Sequence, residues 1–182
     1  MYENFLKHCK IKNPNIDRLF WRATHDYLTC TLNRYGFELF MEMIASKNEK
    51  EIVLSVVDID NLSNTNDAFG HCEGDWAIKN ISKILINSFE RNGVVCRWGG
   101  DEFIVIYSSN NPKCILKNHF LGKMDRVREK ISEAFKNKGY PIGLSYGFSI
   151  FTPKKGIDIN SIIDDSDKKM YSYKMFQKGK PK

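Results

Sequence analysis

The chain has 182 residues, 42% of them hydrophobic, enough for one domain with a core that needs no disulfide or metal staple. No apolar run is long enough to span a bilayer and no charged-then-apolar leader is read at the start; the five cysteines (Cys9, Cys30, Cys72, Cys96, Cys114) are odd in number and form no C-x-x-C pair, so neither a disulfide framework nor a zinc site is indicated and a reduced, cytoplasmic setting is expected. The net charge of +6 owes much to Lys168, Lys169, Lys174, Lys178, Lys180 and Lys182 near the C-terminus, which read as solvated lysines rather than a nucleic-acid surface, since no aromatic residues interleave with them.

Residues 1–24 read as a helical lead-in broken at "NPN". Asn13 suits an N-cap and Pro14 the first helical position, with Ile16, Leu19, Phe20 and Ala23 as an apolar stripe. The main domain is expected over residues 25–182. "HDYLTCTLNR" reads as a turn segment, and Asn33 as the cap of a helix with Phe37, Phe40, Met43 and Ile44 on one face. "EIVLSVVDID" is a nearly continuous apolar run ending in acids, as a central strand would be. A helix with Ala77, Ile78, Ile81, Ile84, Leu85 and Phe89 at helical spacing follows.

Next, "VVCRWGGDEFIVIY" reads as a hairpin whose two-glycine loop suits a tight primed turn, because both glycines can take positive φ. A second amphipathic helix carries Leu121, Met124, Val127, Ile131, Ala134 and Phe135, "IGLSYGFSI" alternates as a strand, and a last helix starts near Ser161. The order is strand, helix, two strands, helix, strand, helix. That predicts an α/β (α+β) fold: a ferredoxin-like palm, the nucleotidyl-cyclase type of sheet, with flanking helices and the hairpin. Many unrelated functions use it, so function must come from the site.

In that topology Asp58, at the end of the first strand, and Asp101, beyond Gly99-Gly100, lie at the same end of the sheet. Carboxylates converging in a cleft are costly unless a cation neutralises them, and magnesium takes one or two carboxylates together with phosphate oxygens. Glu102 adds a third acid. From the residues alone, a metal site and a set of strand- and turn-terminating acids weigh about equally.

Five motifs in order resemble the GGDEF family of diguanylate cyclases: "DYLTCTLNR", "DIDNLSNTNDAFGHCEGD", "RWGGDEF", "SYGFS" and "SDKKMYSYK", from about Asp26 to Lys178. The resemblance implies condensation of two GTP into cyclic di-GMP, with two Mg2+ (or Mn2+) per site held by Asp58, Asp101 and the carbonyl of Ile59, and with Glu102 orienting or deprotonating the attacking hydroxyl or sharing a metal. It implies that Asn66 and Asp75 read guanine, and that the amides at Leu62 and Ser63 and the side chains of Lys174 and Lys178 face the phosphates. Arg97 reads as a phosphate-facing arginine or a surface strand residue. His71 fills a family position in which a structural hydrogen bond is its expected role.

Departures accompany the match. Cys30 replaces a glycine, Leu62-Ser63 a Phe-Lys pair and Lys178 an arginine; the glycine after Lys174 is delayed. Glu90 and Gly93 stand where an inhibitory R-x-x-D pair would bind product, so product inhibition there is expected to be absent. One domain offers half a site, so two protomers must face each other in a homodimer. An upstream sensor domain, if the chain is part of a longer protein, is the expected source of control. Two other readings stand beside the cyclase: a GTP-binding sensor module that does not turn over, and a related cyclase making another cyclic dinucleotide. Asp75, acceptor-only when ionised, opposes adenine in the second.

Overall fold

The structure, a computed structural model, describes residues 13–46, 50–109 and 112–178; residues 1–12, which hold the first half of the expected lead-in, lie outside the described residues. The elements are α1 (Pro14–Thr24), α2 (Arg34–Ala45), β1 (Ile52–Asp60), α3 (Leu62–Phe69), α4 (His71–Phe89), β2 (Gly93–Arg97), β3 (Glu102–Ser108), α5 (Lys113–Phe135), β4 (Gly143–Phe151) and α6 (Ile159–Lys178). The sheet order is β2-β3-β1-β4 with every neighbouring pair antiparallel. β1 and β2 therefore run parallel with β3 between them, and β3 and β4 run parallel with β1 between them. This doubled split β-α-β arrangement is the expected ferredoxin-like topology.

Strand alternation divides the core in two. Val53, Val57 and Ile59 of β1, with Phe103, Val105 and Tyr107 of β3, pack under α4 and α5. Ile52, Leu54 and Val56, with Ile104 and Ile106, pack under α2 and α6. Side chains two apart on a strand share a face, so this parity decides where the acids go. Asp58 and Asp60 continue the even set of β1 and Glu102 that of β3, so all three emerge on the α6 side.

The expected caps are present. Asn13 accepts from the amides of Asn15 and Ile16, and Asn33 accepts from Gly36 N–H at 2.9 Å. Three readings are corrected. The apolar stripe of α1 is only partly buried: Phe20 packs against the core, while Ile16 is 41% and Leu19 63% exposed. Ala134 faces solvent, and Leu116 and Phe120 of α5 take core positions instead. The last helix begins at Ile159 because Asp158 accepts from the amides of Asn160 and Ser161 and starts it earlier.

The hairpin is also corrected. Its connection is the four-residue stretch Trp98–Asp101, and neither Gly99 nor Gly100 takes positive φ. Glu102 closes the loop, its carbonyl accepting from the amides of Trp98 (2.8 Å) and Gly99 (3.3 Å). Gly99 serves a packing need: a Cβ there would come 3.2 Å from the Glu102 Oε2.

Candidate active site

The site is built at the C-terminal end of β1. Asp58 lies directly opposite Glu102 of β3 on one side and Ser145 of β4 on the other. The Ile59 amide donates to the carbonyl of Asp101 at 3.1 Å, which pins the start of β3 to the end of β1 and brings Asp101 beside Asp58. Like charges on directly opposed residues destabilise a sheet. Burial raises the Asp58 pKa, and Asp101 and Asp60 raise it further, against the opposing pull of Lys174. Burial likewise raises that of Glu102, reinforced by Asp101, Asp58 and Asp167.

The cation already among these acids is Lys174 of α6. Its Nζ lies 2.5 Å from Asp58 Oδ1 and 3.8 Å from Asp60 Oδ1. Asp60 also accepts a 2.7 Å hydrogen bond from the Ser145 hydroxyl. The lysine expected at phosphate is thus paired with an acid expected at metal.

A cavity of about 680 Å³ opens beside this cluster, lined by Asp58, Ile59, Asp60, Leu62, Ser63, Asp101, Arg128, Tyr173 and Lys174 among others. Its rim includes the N-terminus of α3, where Asn61 takes left-handed φ (64°) and offers no side-chain cap. The Asn61 carboxamide donates instead to the carbonyl of Pro141 at 2.9 Å. The first amides of α3, at Leu62 and Ser63, therefore have no side-chain cap where they border the cavity, an arrangement that suits phosphate oxygens.

The donor set is one of hard oxygens, the two carboxylates of Asp58 and Asp101 with the carbonyl of Ile59, and it suits Mg2+ or Mn2+. No three metal-ligating side chains are clustered among the described residues. A cation that takes one or two protein carboxylates and completes its shell with phosphate and water needs no such cluster.

Asn66 and Asp75 do not line this cavity; Asn66 lies on α3 and Asp75 on α4. A Cβ built on Gly74 would lie 1.8 Å from Asn66 Oδ1, so the absent side chain of Gly74 makes room for the Asn66 amide next to Asp75. His71 opens α4 and is exposed. Lys178 is the last residue of α6, and its side chain lies outside the described residues.

Arg97, expected to face phosphate, turns elsewhere. Its Nη1 donates to Asp26 at 3.1 and 3.3 Å, and its Nε and Nη2 donate to the Gly100 carbonyl at 3.2 and 2.8 Å. It braces the Trp98–Asp101 loop against the turn that follows α1. Asp26 is kept ionised by two hydrogen bonds from Thr29 and by Arg97, which outweigh the larger single cost of its burial and hold its pKa below the usual value. In the same turn Cys30, at the family's glycine position, sits at φ 59°.

The whole chain agrees with the geometry. It matches the family described as "Diguanylate cyclase, GGDEF domain" over residues 23–180. The chain belongs to the GGDEF family. Among curated GGDEF relatives, diguanylate cyclase A of Treponema denticola is 29% identical over 172 residues, covering 88% of this chain and 44% of that protein. The cyclic di-GMP phosphodiesterase PdeR of Escherichia coli is 28% identical over 162 residues, covering 87% of this chain and 23% of that protein. The chain thus spans less than half the length of these relatives. The coiled coil and GGDEF domain of DgcB from Caulobacter crescentus, solved with c-di-GMP, superposes with a TM-score of 0.75 over 88% of this chain and 85% of its own; at 24% identity this establishes the fold. No helix among the described residues is long and apolar enough to cross a membrane.

Four residues of this site were not singled out in the sequence as functional: Asp60, Ser145, Arg128 and Tyr173. Asp60 was legible from the two-residue strand period that puts it on the face of Asp58. The other three come from β4, α5 and α6, and nothing local signals that these elements converge.

Proposed function

We propose that this GGDEF chain is a diguanylate cyclase that condenses two GTP into cyclic di-GMP and two pyrophosphates across a homodimer. The observation that carries the reading is the convergence of Asp58, Asp101 and Glu102 at one end of the sheet, beside a cavity rimmed by the α3 amides and Lys174. In each of two successive steps the 3′-oxygen of one nucleotide bonds to the α-phosphorus of the other, and the bond to pyrophosphate breaks. Divalent metal, when bound, would lower the pKa of the attacking hydroxyl and offset charge on the leaving group.

Asp58, Asp101 and the Ile59 carbonyl would hold that metal. Metal entry requires Lys174 to release Asp58, which frees its ammonium for the triphosphate. Burial and the neighbouring acids raise the Glu102 pKa, which makes its carboxylate a stronger base for the hydroxyl proton. The uncapped amides at Leu62 and Ser63 receive phosphate, while Asn66 and Asp75 read the guanine edge as acceptors that adenine cannot satisfy. Arg97 acts through the loop it braces.

The test is mass spectrometry of products from purified protein with Mg2+ and GTP, ATP or both, beside an Asp101→Ala control. Cyclic di-GMP from GTP alone, lost in the control, is expected. A mixed product from ATP and GTP would point to the related cyclase instead. One observation favours the non-catalytic alternative: Lys174 is paired with Asp58 while Ser63 supplies no second cation. GTP binding by a concentrated dimeric sample without product would establish that reading.

A further inference from the structure

A second cation, Arg128, lines the cavity beside Lys174. Lys174 and Arg128 are the two basic residues in its lining, and Lys174 is held by Asp58. Among the described residues Arg128 has no carboxylate partner. Its Nε and Nη2 both donate to the carbonyl of Leu144, at 3.2 and 3.1 Å. Leu144 pairs with Ile59 across β4 and β1, so the guanidinium is tied to the strand pair that carries Asp58. Its Cζ lies 4.5 Å from the ring centroid of Tyr146 and 5.0 Å from that of Tyr173. Two hydrogen bonds and two aromatic faces thus fix the guanidinium plane, and among the described residues Nη1 has no hydrogen-bond partner.

We infer that Arg128 is a phosphate-binding residue of this site, supplying through Nη1 the positive charge that Ser63 does not. The inference rests on the proposed nucleotide function. Three points support it. First, the cavity holds Ser63 and Arg128 in the same lining, so a triphosphate entering past the α3 amides is within the same enclosure as both. Secondly, a guanidinium that is half-buried, unpaired by any acid and already oriented loses little freedom on binding an anion, and charge-assisted hydrogen bonds to phosphate are the strong kind. Thirdly, an arginine whose only task was to brace β4 would be satisfied by the Leu144 carbonyl and would have no need to border the cavity. Tyr146 and Tyr173 then act as the supports that keep the fork aimed.

The experiment measures binding by calorimetry, with Mg2+, of two probes: guanosine 5′-(α,β-methylene)triphosphate, whose pyrophosphate cannot leave, and guanosine, which has the base and ribose without the phosphates. Arg128→Met is expected to weaken the triphosphate probe about 10- to 100-fold and to leave guanosine unchanged. Ser63→Lys in the Arg128→Met background is expected to recover most of the loss. Arg128→Lys, which keeps the charge and loses the fork, should fall between and serves if Arg128→Met melts early. Equal weakening of both probes would make Arg128 a structural brace and overturn the inference. So would unchanged triphosphate binding in Arg128→Met and Arg128→Lys alongside its loss in Lys174→Met, with the nucleotide reading intact. Wild-type protein that binds neither probe would overturn the nucleotide reading, and this assignment with it.

Discussion

At the strand ends Asp58, Asp60, Asp101 and Glu102 gather with one ammonium, that of Lys174, among them; at the α3–α4 junction Asn66 lies so close to Gly74 that a methyl group would have no room. The first region is organised by charge. Its partners can exchange, because an ammonium, a metal ion or a proton each answers the same crowding. The second is organised by contact, and nothing can stand in for missing space. Disturbing the first should therefore change chemistry and its response to pH and metal, whereas disturbing the second should change which ligand fits and how well.

The largest effect should come from the charged region. Asp101→Ala is expected to lower kcat by on the order of 10³-fold or more, with the melting temperature held or raised as one crowding carboxylate leaves, as read by product formation and calorimetry. Loss of activity accompanied by general unfolding would instead make Asp101 a structural residue. In the packed region, Gly74→Ala is expected to raise KM for GTP by about 10- to 100-fold through displacement of Asn66, with a smaller change in kcat. An unchanged KM would remove Asn66 from base reading.

How much of this was legible in advance depends on which region is considered. The acids, the Gly-Gly loop and the apolar periods were local patterns, so the elements and the placing of Asp58 and Asp101 at one end of the sheet could be read directly, while a metal role for those acids rested on the family resemblance. Asn66 and Asp75 came with the motif, but the close approach of Asn66 to Gly74 did not, since a glycine in a helix carries no sign of what approaches it. The Gly99-Gly100 turn was misread because two glycines permit positive φ without requiring it; the loop uses four residues and the room beside Gly99. Arg97 was ambiguous because its partner, Asp26, is distant in sequence.

Two smaller predictions extend the comparison to the turn that braces the loop. His25 is buried, donates or accepts at Thr24 Oγ1 (2.9 Å), and burial lowers its pKa from 6.5 to about 4. The unfolded chain therefore binds a proton at a higher pH than the folded one. Stability should fall as pH drops from 6.5 through about 4, by about 2–3 kcal/mol, and urea midpoints of wild type and His25→Gln should converge over that range. If the wild-type midpoint is flat there, the histidine is not buried neutral. Cys30 at φ 59° bears the cost of a left-handed residue with a side chain. Cys30→Gly should raise stability by about 0.5–1 kcal/mol, seen as a higher denaturation midpoint; a lower one would mean the thiol contributes packing that exceeds the strain.

By itself the sequence determined what depends on local order: a doubled split β-α-β sheet, two helical layers, an acidic strand end and a loop of glycines and acids. Hydrophobic period, capping and turn chemistry act between near neighbours, so they survive in a one-dimensional string. Only the tertiary structure decided that Lys174 pairs with Asp58, that Arg97 turns to Asp26, and that Arg128 of α5 reaches Leu144 and the cavity. Those choices join segments far apart along the chain, and one charged side chain can satisfy any of several partners until packing brings a single one within reach.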